Sequence, residues 1–171
     1  MMKRAVVVLA MHGAPPADFP RPEFSEFMSL HGRAGRSRGA VDEPIRLRCV
    51  ELEKKMRTWP RNAQNDPFFV ASQELAERLS RETGLEVMLG FNEFCAPSLD
   101  EALDRAAATA AETIIVVTPM MTRGGEHSEA DIPAAIERAK TRNPGKTIIY
   151  AWPFAAEDVA RFLSSQLKKY L

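Results

Sequence analysis

The sequence has few of the features that mark several common protein classes. It contains only two cysteines, Cys49 and Cys95, in unrelated contexts, which argues against a disulfide scaffold and indicates reduced thiols in a cytoplasmic protein. No apolar run approaches the roughly 20 residues of a membrane-spanning helix. The 23 basic and 23 acidic residues give a formal net charge of +0, without the positive charge typical of nucleic-acid-binding proteins. We therefore expect neither a membrane nor a nucleic acid among its partners.

The amino terminus resembles a signal peptide only superficially. Two basic residues precede a short apolar run, at the lower limit for a signal sequence, and His12 and Gly13 follow where small residues would mark a cleavage site. A first β-strand explains this run better.

Four short runs, mostly rich in β-branched residues, predict strands at residues 5–10, 86–91, 113–118 and 147–151. Amphipathic segments predict helices at residues 67–82, from residue 98 onwards, and at residues 131–141 and 156–170. Strands that alternate with helices of this length form right-handed βαβ units. The sequence therefore predicts an α/β fold with a four-stranded parallel sheet and helices on both faces.

Residues 14–66 break this alternation. They contain no strand-like run, are rich in Arg, Glu and Pro, and suggest two helices, around residues 24–30 and 47–56. So long a connection is often functional, as a lid or binding wall, although a solvated helical hairpin that only packs on the core explains it equally well. We predict a single domain, residues 1–171, with a helical insertion at about residues 14–66.

Three residues with metal-binding side chains follow predicted strands. His12 comes directly after the first strand, Glu93 lies two residues after the second, and His127 lies in the loop after the third. Because ligands of open parallel sheets bind at the carboxyl ends of the strands, we expect these side chains to face one crevice. Two imidazoles and one carboxylate can hold a divalent transition metal and leave coordination positions open, and histidine can also accept a proton.

Other interpretations of these residues remain open. A histidine after a strand is often only a hydrogen-bonded loop residue, and Glu93 could cap a backbone turn. Gly124 and Gly125, before a helix, could equally form a phosphate-binding nest, although the acidic residues just after them would repel phosphate.

Three further residues are weaker candidates for contacts with a substrate. Met120 and Met121 could form an apolar floor under a flat ligand, although methionine beside a strand end more often fills a gap in the core. Arg123 is the loop cation best suited to bind a substrate carboxylate, and an equally good alternative is that it is only solvated. His31, in the insertion, is expected to be structural or exposed, since nothing in the sequence fixes its position relative to the crevice.

Several strings together resemble the CbiX/SirB family of sirohydrochlorin chelatases, within the class II chelatases. The most distinctive is GGEHSEADIP at residues 124–133, and the others are HG at 12–13, FNE at 91–93, APSLDEAL at 96–103 and IVVTP at 115–119. The resemblance covers nearly everything outside the insertion. The family usually continues His-Gly-Ser, whereas here Ala14 follows Gly13, and the insertion is longer than in the short family members.

The resemblance implies a chelatase-like three-layer fold and a lyase that inserts cobalt or iron into sirohydrochlorin or a related tetrapyrrole, in cobalamin or siroheme biosynthesis. It implies that His12 and His127 bind the metal and assist deprotonation, with Glu93 as a third ligand. The metal and the tetrapyrrole are then substrates, and no permanently bound cofactor is expected. Because one copy supplies half of the usual cleft, we expect a homodimer, unless the insertion closes the site.

Two other functions use the same ligands. A metal-dependent hydrolase would activate water at an open coordination position, with Glu126 as the obvious general base. A metal or tetrapyrrole carrier would bind without turnover. A histidine phosphatase fits less well, because Met11 rather than an arginine precedes His12.

Overall fold

The computed structural model describes residues 5–36 and 42–171. The strands in this part of the chain are β1 (Ala5–Met11), β2 (Glu86–Phe91), β3 (Thr113–Val117) and β4 (Thr147–Tyr150). The helices are α1 (Arg21–Arg36), α2 (Glu43–Arg57), α3 (Pro67–Thr83), α4 (Leu99–Ala107), α5 (Ile132–Arg142) and α6 (Ala156–Leu167), with a π-helical turn (His127–Asp131) leading into α5. Among the described residues, no helix combines the length and apolar character needed to cross a bilayer.

The strands form one parallel sheet in the order β2-β1-β3-β4. In the register of this sheet, Val6 of β1 lies opposite Glu86 of β2 on one side and Ile114 of β3 on the other. The four-stranded parallel sheet predicted from the sequence is therefore confirmed, with strand ends that differ from the prediction by one residue in β1, β3 and β4. Because β1 lies between β2 and β3, the loops after these three strands leave the sheet side by side.

Helices cover the sheet on both faces, as predicted. On one face, Val6, Val8 and Ala10 of β1 pack with the buried residues of α4 and α5. On the other face, Leu9 and Met11 pack with α3. Burial on both faces explains why β1 reads as a continuous apolar run rather than as an alternating one.

The connection between β1 and α3 contains a helical hairpin with its own core. The fully buried side chains of this core are Phe19, Phe27, Leu52 and Met56, and Phe94 from the loop after β2 packs against them. Ion pairs also join α1 to α2, among them Arg48 to Glu26 at 2.9 Å and Lys55 to Glu23 at 2.7 Å. The predicted helical insertion is therefore present, and it contacts the loop that carries Glu93.

The apolar stripe of α6 stays exposed. None of the residues of this helix is buried, and Phe162, Leu163 and Leu167 are 55%, 53% and 62% exposed. Ile149 of β4, on the sheet face that α3 only partly covers, is 47% exposed. The molecule thus presents an apolar helix face and one exposed apolar residue of the sheet.

A buried ion pair ties the end of the hairpin to the rest of the structure. The side chains of Arg61 and Asp66 are only 4% and 1% exposed, and they bond to each other. Arg61 also donates to the carbonyl oxygens of Ala14, at 2.8 Å, and of Phe94. Asp66 also accepts the amide hydrogen of Phe69 at 2.9 Å and caps α3. The pair therefore links the loops after β1 and β2 to the start of α3.

We predict that Arg61→Met lowers the free energy of unfolding by about 3–5 kcal/mol, because the substitution leaves the Asp66 carboxylate buried without its partner. Urea denaturation followed by circular dichroism measures this change. Arg46→Met is the matched control, since it removes an exposed ion pair to Glu43 whose side chains are 57% and 63% exposed, and it should leave the unfolding midpoint unchanged. Equal midpoints for the two variants would contradict the role given to Arg61.

Candidate metal centre

The structure brings His12, Glu93 and His127 together at the carboxyl edge of the sheet. Each offers one ligand atom, and these atoms all lie within 4.8 Å of one another. His12 follows β1, Glu93 lies in the loop after β2, and His127 begins the π-helical turn after β3. In the part of the chain that the structure describes, this is the only such group of three metal-binding side chains. The three residues singled out in the sequence are therefore neighbours in space.

The two histidines face each other through their Nε2 atoms, which lie 3.1 Å apart. Their rings are nearly perpendicular, with an interplanar angle of 84°. Two nitrogens that each lie about 2.0–2.1 Å from one ion are separated by roughly 2.9–3.4 Å for bond angles between about 90° and 109°. The observed distance fits that range, so one metal ion can bond both nitrogens with little movement of either ring.

Hydrogen bonds at the other ring nitrogens determine where the lone pairs point. His12 Nδ1 lies 2.8 Å from the carbonyl oxygen of Gly13, and His127 Nδ1 lies 2.6 Å from a carboxylate oxygen of Asp131. Both partners can only accept, so each Nδ1 carries the hydrogen and each Nε2 presents its lone pair. A carboxylate behind a histidine also makes that histidine a stronger ligand.

The π-helical turn holds His127 in place. In this turn Asp131 follows His127 by four residues and directs its carboxylate at the imidazole. The Tyr150 hydroxyl donates to the carbonyl oxygen of Ser128 at 3.1 Å, and the Ser128 hydroxyl donates to the carbonyl oxygen of Gly125 at 3.1 Å. Burial raises the pKa of Tyr150 to about 12, so this hydroxyl stays protonated and remains a donor. Turns of this kind occur frequently at functional sites.

Close contact between the loops after β1 and β2 explains the glycine after His12. The Glu93 amide donates to the carbonyl oxygen of His12 at 2.9 Å, and the Asn92 amide donates to that of Met11 at 2.9 Å, which extends the pairing of β1 with β2. Gly13 has a φ of +100°, and a Cβ atom there would lie 1.9 Å from the Glu93 carbonyl oxygen. Only glycine therefore fits between the two candidate ligands.

The site opens into a cleft of about 410 Å³ between the hairpin and the loops of the sheet. The hairpin contributes Phe27, Met28 and His31 of α1 to its lining. Four carboxylates also line the cleft, those of Glu53, Glu93, Glu126 and Asp131. This concentration of negative charge attracts cations.

His31 is a residue whose position the sequence did not reveal. It is exposed, as expected, but it lies in the wall of the cleft that contains His127. Its ring lies 5.4 Å from the ring of Phe27, one helical turn earlier. The helical periodicity of α1 could have indicated this position, because residues four apart lie on the same face of a helix and His31 follows the buried Phe27 by four residues.

The weaker candidates lie outside this cleft. Met120 is half-buried and packs against the core between the sheet and α4 and α5, and Met121 is half-buried. The Arg123 side chain is 74% exposed, lies 3.8 Å from Glu129, and sits over the ring of Trp152 at 5.8 Å. None of the three predicted residues lines the cleft beside His127.

The alternative that Gly124 and Gly125 form a phosphate-binding nest is weakened by a hydrogen bond within the loop. Gly124 has a φ of +90°, but its amide hydrogen bonds to the Glu129 carboxylate at 3.0 Å. A carboxylate therefore occupies one of the N–H groups that a phosphate nest would need.

We predict that Gly13→Ala weakens the binding of Co²⁺, because the new Cβ displaces the Glu93 carbonyl and moves the carboxylate away from the histidines. Titration of the protein with Co²⁺, followed by visible absorption, measures the affinity, and we expect a loss of at least about 10-fold. Gly84→Ala is the matched control: its φ is +68°, but nothing lies within 4 Å of the new Cβ. The control should lose about 1–2 kcal/mol of stability from backbone strain alone and keep its affinity. Equal affinities for Gly13→Ala and the unchanged protein would contradict this packing argument.

Comparisons with known proteins agree on one family. The sequence model of the CbiX family matches residues 69–169. The sirohydrochlorin cobaltochelatase of Sulfurisphaera tokodaii is 35% identical over 86 residues, which are 50% of this chain and 68% of that protein. The sirohydrochlorin cobaltochelatase of Priestia megaterium is 31% identical over 80 residues, which are 46% of this chain and only 26% of that protein.

A solved structure agrees on the fold. The crystal structure of a CbiX protein from Marinobacter aquaeolei VT8 superposes with a TM-score of 0.56 and 18% sequence identity, and the match covers 97% of this chain and 96% of that one. The chelatase-like fold expected from the sequence is therefore confirmed. Residues 69–169 make up more than half of the chain and include Glu93 and His127, whereas His12 and the hairpin precede them. The chain belongs to the CbiX family.

Proposed function

We propose that this protein is a lyase that inserts a divalent metal, cobalt or iron, into sirohydrochlorin or a related tetrapyrrole, in cobalamin or siroheme biosynthesis in the cytoplasm. The observation that carries this proposal is the pair of imidazole Nε2 atoms 3.1 Å apart, beside the Glu93 carboxylate and open to a cleft. The names of the two related cobaltochelatases support sirohydrochlorin as the acceptor and favour cobalt as the metal.

The ligand set suits a metal that must leave the protein. His12, Glu93 and His127 would hold the ion with three ligands, and the remaining coordination positions stay open for the nitrogens of the incoming ring. A closed set of four protein ligands would instead retain the ion as a structural metal. The acidic lining of the cleft would raise the local concentration of the divalent cation.

The same histidines would accept the protons that insertion releases. When M²⁺ enters the free-base macrocycle, two pyrrole N–H bonds break and two protons must leave. As the ring nitrogens replace the protein ligands, the Nε2 atoms of His12 and His127 become free to take one proton each. The Asp131 carboxylate then stabilises the positive charge on His127, whereas His12 has only the Gly13 carbonyl behind it.

The substrate's carboxylates need a partner outside the acidic cleft. Arg123 is our candidate, because it belongs to the loop that leads to His127 and its exposed guanidinium lies over Trp152. Met120 and Met121, between Arg123 and the end of β3, are candidates for an apolar floor under the ring.

A metal-dependent hydrolase is the second candidate. Glu126 lines the same cleft as His127, where it could act as the general base for a metal-bound water.

We also propose that residues 1–171 form one domain and that the protein is a homodimer. The proposal for the partner rests on two uncovered apolar surfaces of the described chain, the stripe of α6 and the part of β4 at Ile149, which is 47% exposed. A second copy would bury both surfaces at once, since each copy would offer its helix to the other. Large exposed apolar patches of this kind mark interaction sites.

We predict that the protein accelerates metal insertion and that His12→Ala and His127→Ala each lose about 100-fold or more of the rate, because each removes a ligand and a proton acceptor. An absorbance time course of sirohydrochlorin with Co²⁺ or Fe²⁺, with and without protein, measures the rate. Glu137→Gln, on the exposed side of α5 where it pairs with Lys140, is the control and should keep full activity. Co²⁺ binding without any acceleration would refute the chelatase and favour a carrier.

We predict that Leu163→Glu shifts the protein from dimer to monomer, because a charge replaces an apolar contact of roughly 2 kcal/mol. The dimer dissociation constant should rise about 30-fold or more, which sedimentation velocity over a concentration series measures. Ser165→Glu, on the opposite face of α6, places the same charge outside the stripe and should leave the dimer intact. A native protein that sediments as a monomer at all concentrations would contradict the homodimer.

A further inference from the structure

The three candidate ligands are not supported in the same way. The His12 imidazole bonds to the Gly13 carbonyl and the His127 imidazole to the Asp131 carboxylate. The Glu93 carboxylate, by contrast, accepts no hydrogen bond from any residue that the structure describes. Its position therefore depends on the backbone of the loop that carries it, residues 92–97.

One arginine of the hairpin bonds to this loop on both sides of Glu93. Arg57, the last residue of α2, donates from Nη2 to the Asn92 carbonyl at 2.9 Å and from Nη1 to the Cys95 carbonyl at 2.7 Å. The Arg57 carbonyl in turn accepts the amide hydrogen of Ala96 at 3.1 Å. The planar guanidinium therefore sets the distance between the two carbonyls that bracket Glu93.

Glu53 orients this guanidinium. Its carboxylate accepts from Arg57 Nε at 2.9 Å, one turn earlier in α2, and the Arg57 side chain is only 18% exposed. Each of the three nitrogens of the guanidinium thus has an acceptor. Glu53 also lines the cleft, so the carboxylate of the pair lies in the wall of the cleft that the hairpin forms.

Phe94 shows that the loop is held under strain. It has a φ of 58°, a conformation that non-glycine residues rarely adopt, and its side chain packs into the hairpin core, where its ring lies 6.3 Å from that of Phe27. Such a conformation persists only where the surroundings hold it. Phe94 and Arg57 together anchor the loop to the hairpin and leave the Glu93 side chain free to face the cleft.

We infer that Arg57 is a positioning residue for Glu93, through which the hairpin fixes the third metal ligand beside the two histidines. This inference rests on the metal binding of the proposed function. It gives the hairpin a role that a solvated insertion would not have, because Arg57 of α2 bonds to the loop of the sheet that carries the carboxylate.

The test is Co²⁺ binding by the full chain, measured by titration of the visible absorption bands, which report the ligands of the metal. Arg57→Ala should weaken binding about 10-fold, as expected when a residue that supports a ligand is removed, and should shift the bands toward those of Glu93→Gln. Arg57→Lys keeps the positive charge and can still donate to one of the two carbonyls, so it should recover part of the lost Co²⁺ affinity. Arg48→Ala is the matched control, because Arg48 lies on the same helix but pairs with Glu26 and Glu51.

The decisive comparison is made in the Glu93→Gln background, where Arg57→Ala should cause no further loss because the carboxylate it positions is already absent. A loss of equal size with and without the Glu93 carboxylate would overturn the inference, as would unchanged affinity in Arg57→Ala. If Arg57→Ala loses its circular dichroism spectrum, Arg57→Lys takes its place in the same comparison. A protein that binds Co²⁺ but does not insert it would overturn the chelatase proposal and leave this comparison valid, whereas a native protein that binds no Co²⁺ would overturn both.

Discussion

The hydrogen bond from the Glu93 amide to the His12 carbonyl is the contact on which the site depends. It extends the pairing of β1 and β2 beyond the sheet, and so it brings a carboxylate and an imidazole from two loops to one point. The contact leaves no room for a side chain at Gly13. It is possible because β1 occupies an inner position in a parallel sheet, so that its loop has a neighbour on each side. His127 arrives from the other neighbour, β3, and completes the set.

The charged side chains around this contact fall into two groups. The lining of the cleft is acidic, with Glu53 from the hairpin and Glu126 from the loop after β3, and it therefore suits a cation. Arg123 lies outside this cleft, over the ring of Trp152, and under the proposed function it would bind a carboxylate of the substrate.

Those parts of the fold and site that depend on local pattern were predictable. Runs of β-branched residues located three of the strands and a weaker apolar run located β2, and the rule for parallel sheets placed His12, Glu93 and His127 at one edge. The parts that depend on tertiary contacts could not be predicted. No sequence pattern around Arg57 indicates that its guanidinium bonds to carbonyls 35 and 38 residues further along the chain. The position of His31 depends on how the hairpin packs. The amphipathic stripe of α6 predicted a helix correctly, but periodicity does not tell whether the face is covered by the same chain or by another.

A crystal structure of the protein with Co²⁺, with anomalous scattering data at the cobalt edge, tests the central claim most directly. The account predicts one strong peak bonded to Nε2 of His12, Nε2 of His127 and the Glu93 carboxylate, with open coordination positions directed at the cleft. Cobalt bound elsewhere, or a histidine pair still in contact at 3.1 Å with no metal between the rings, would contradict it.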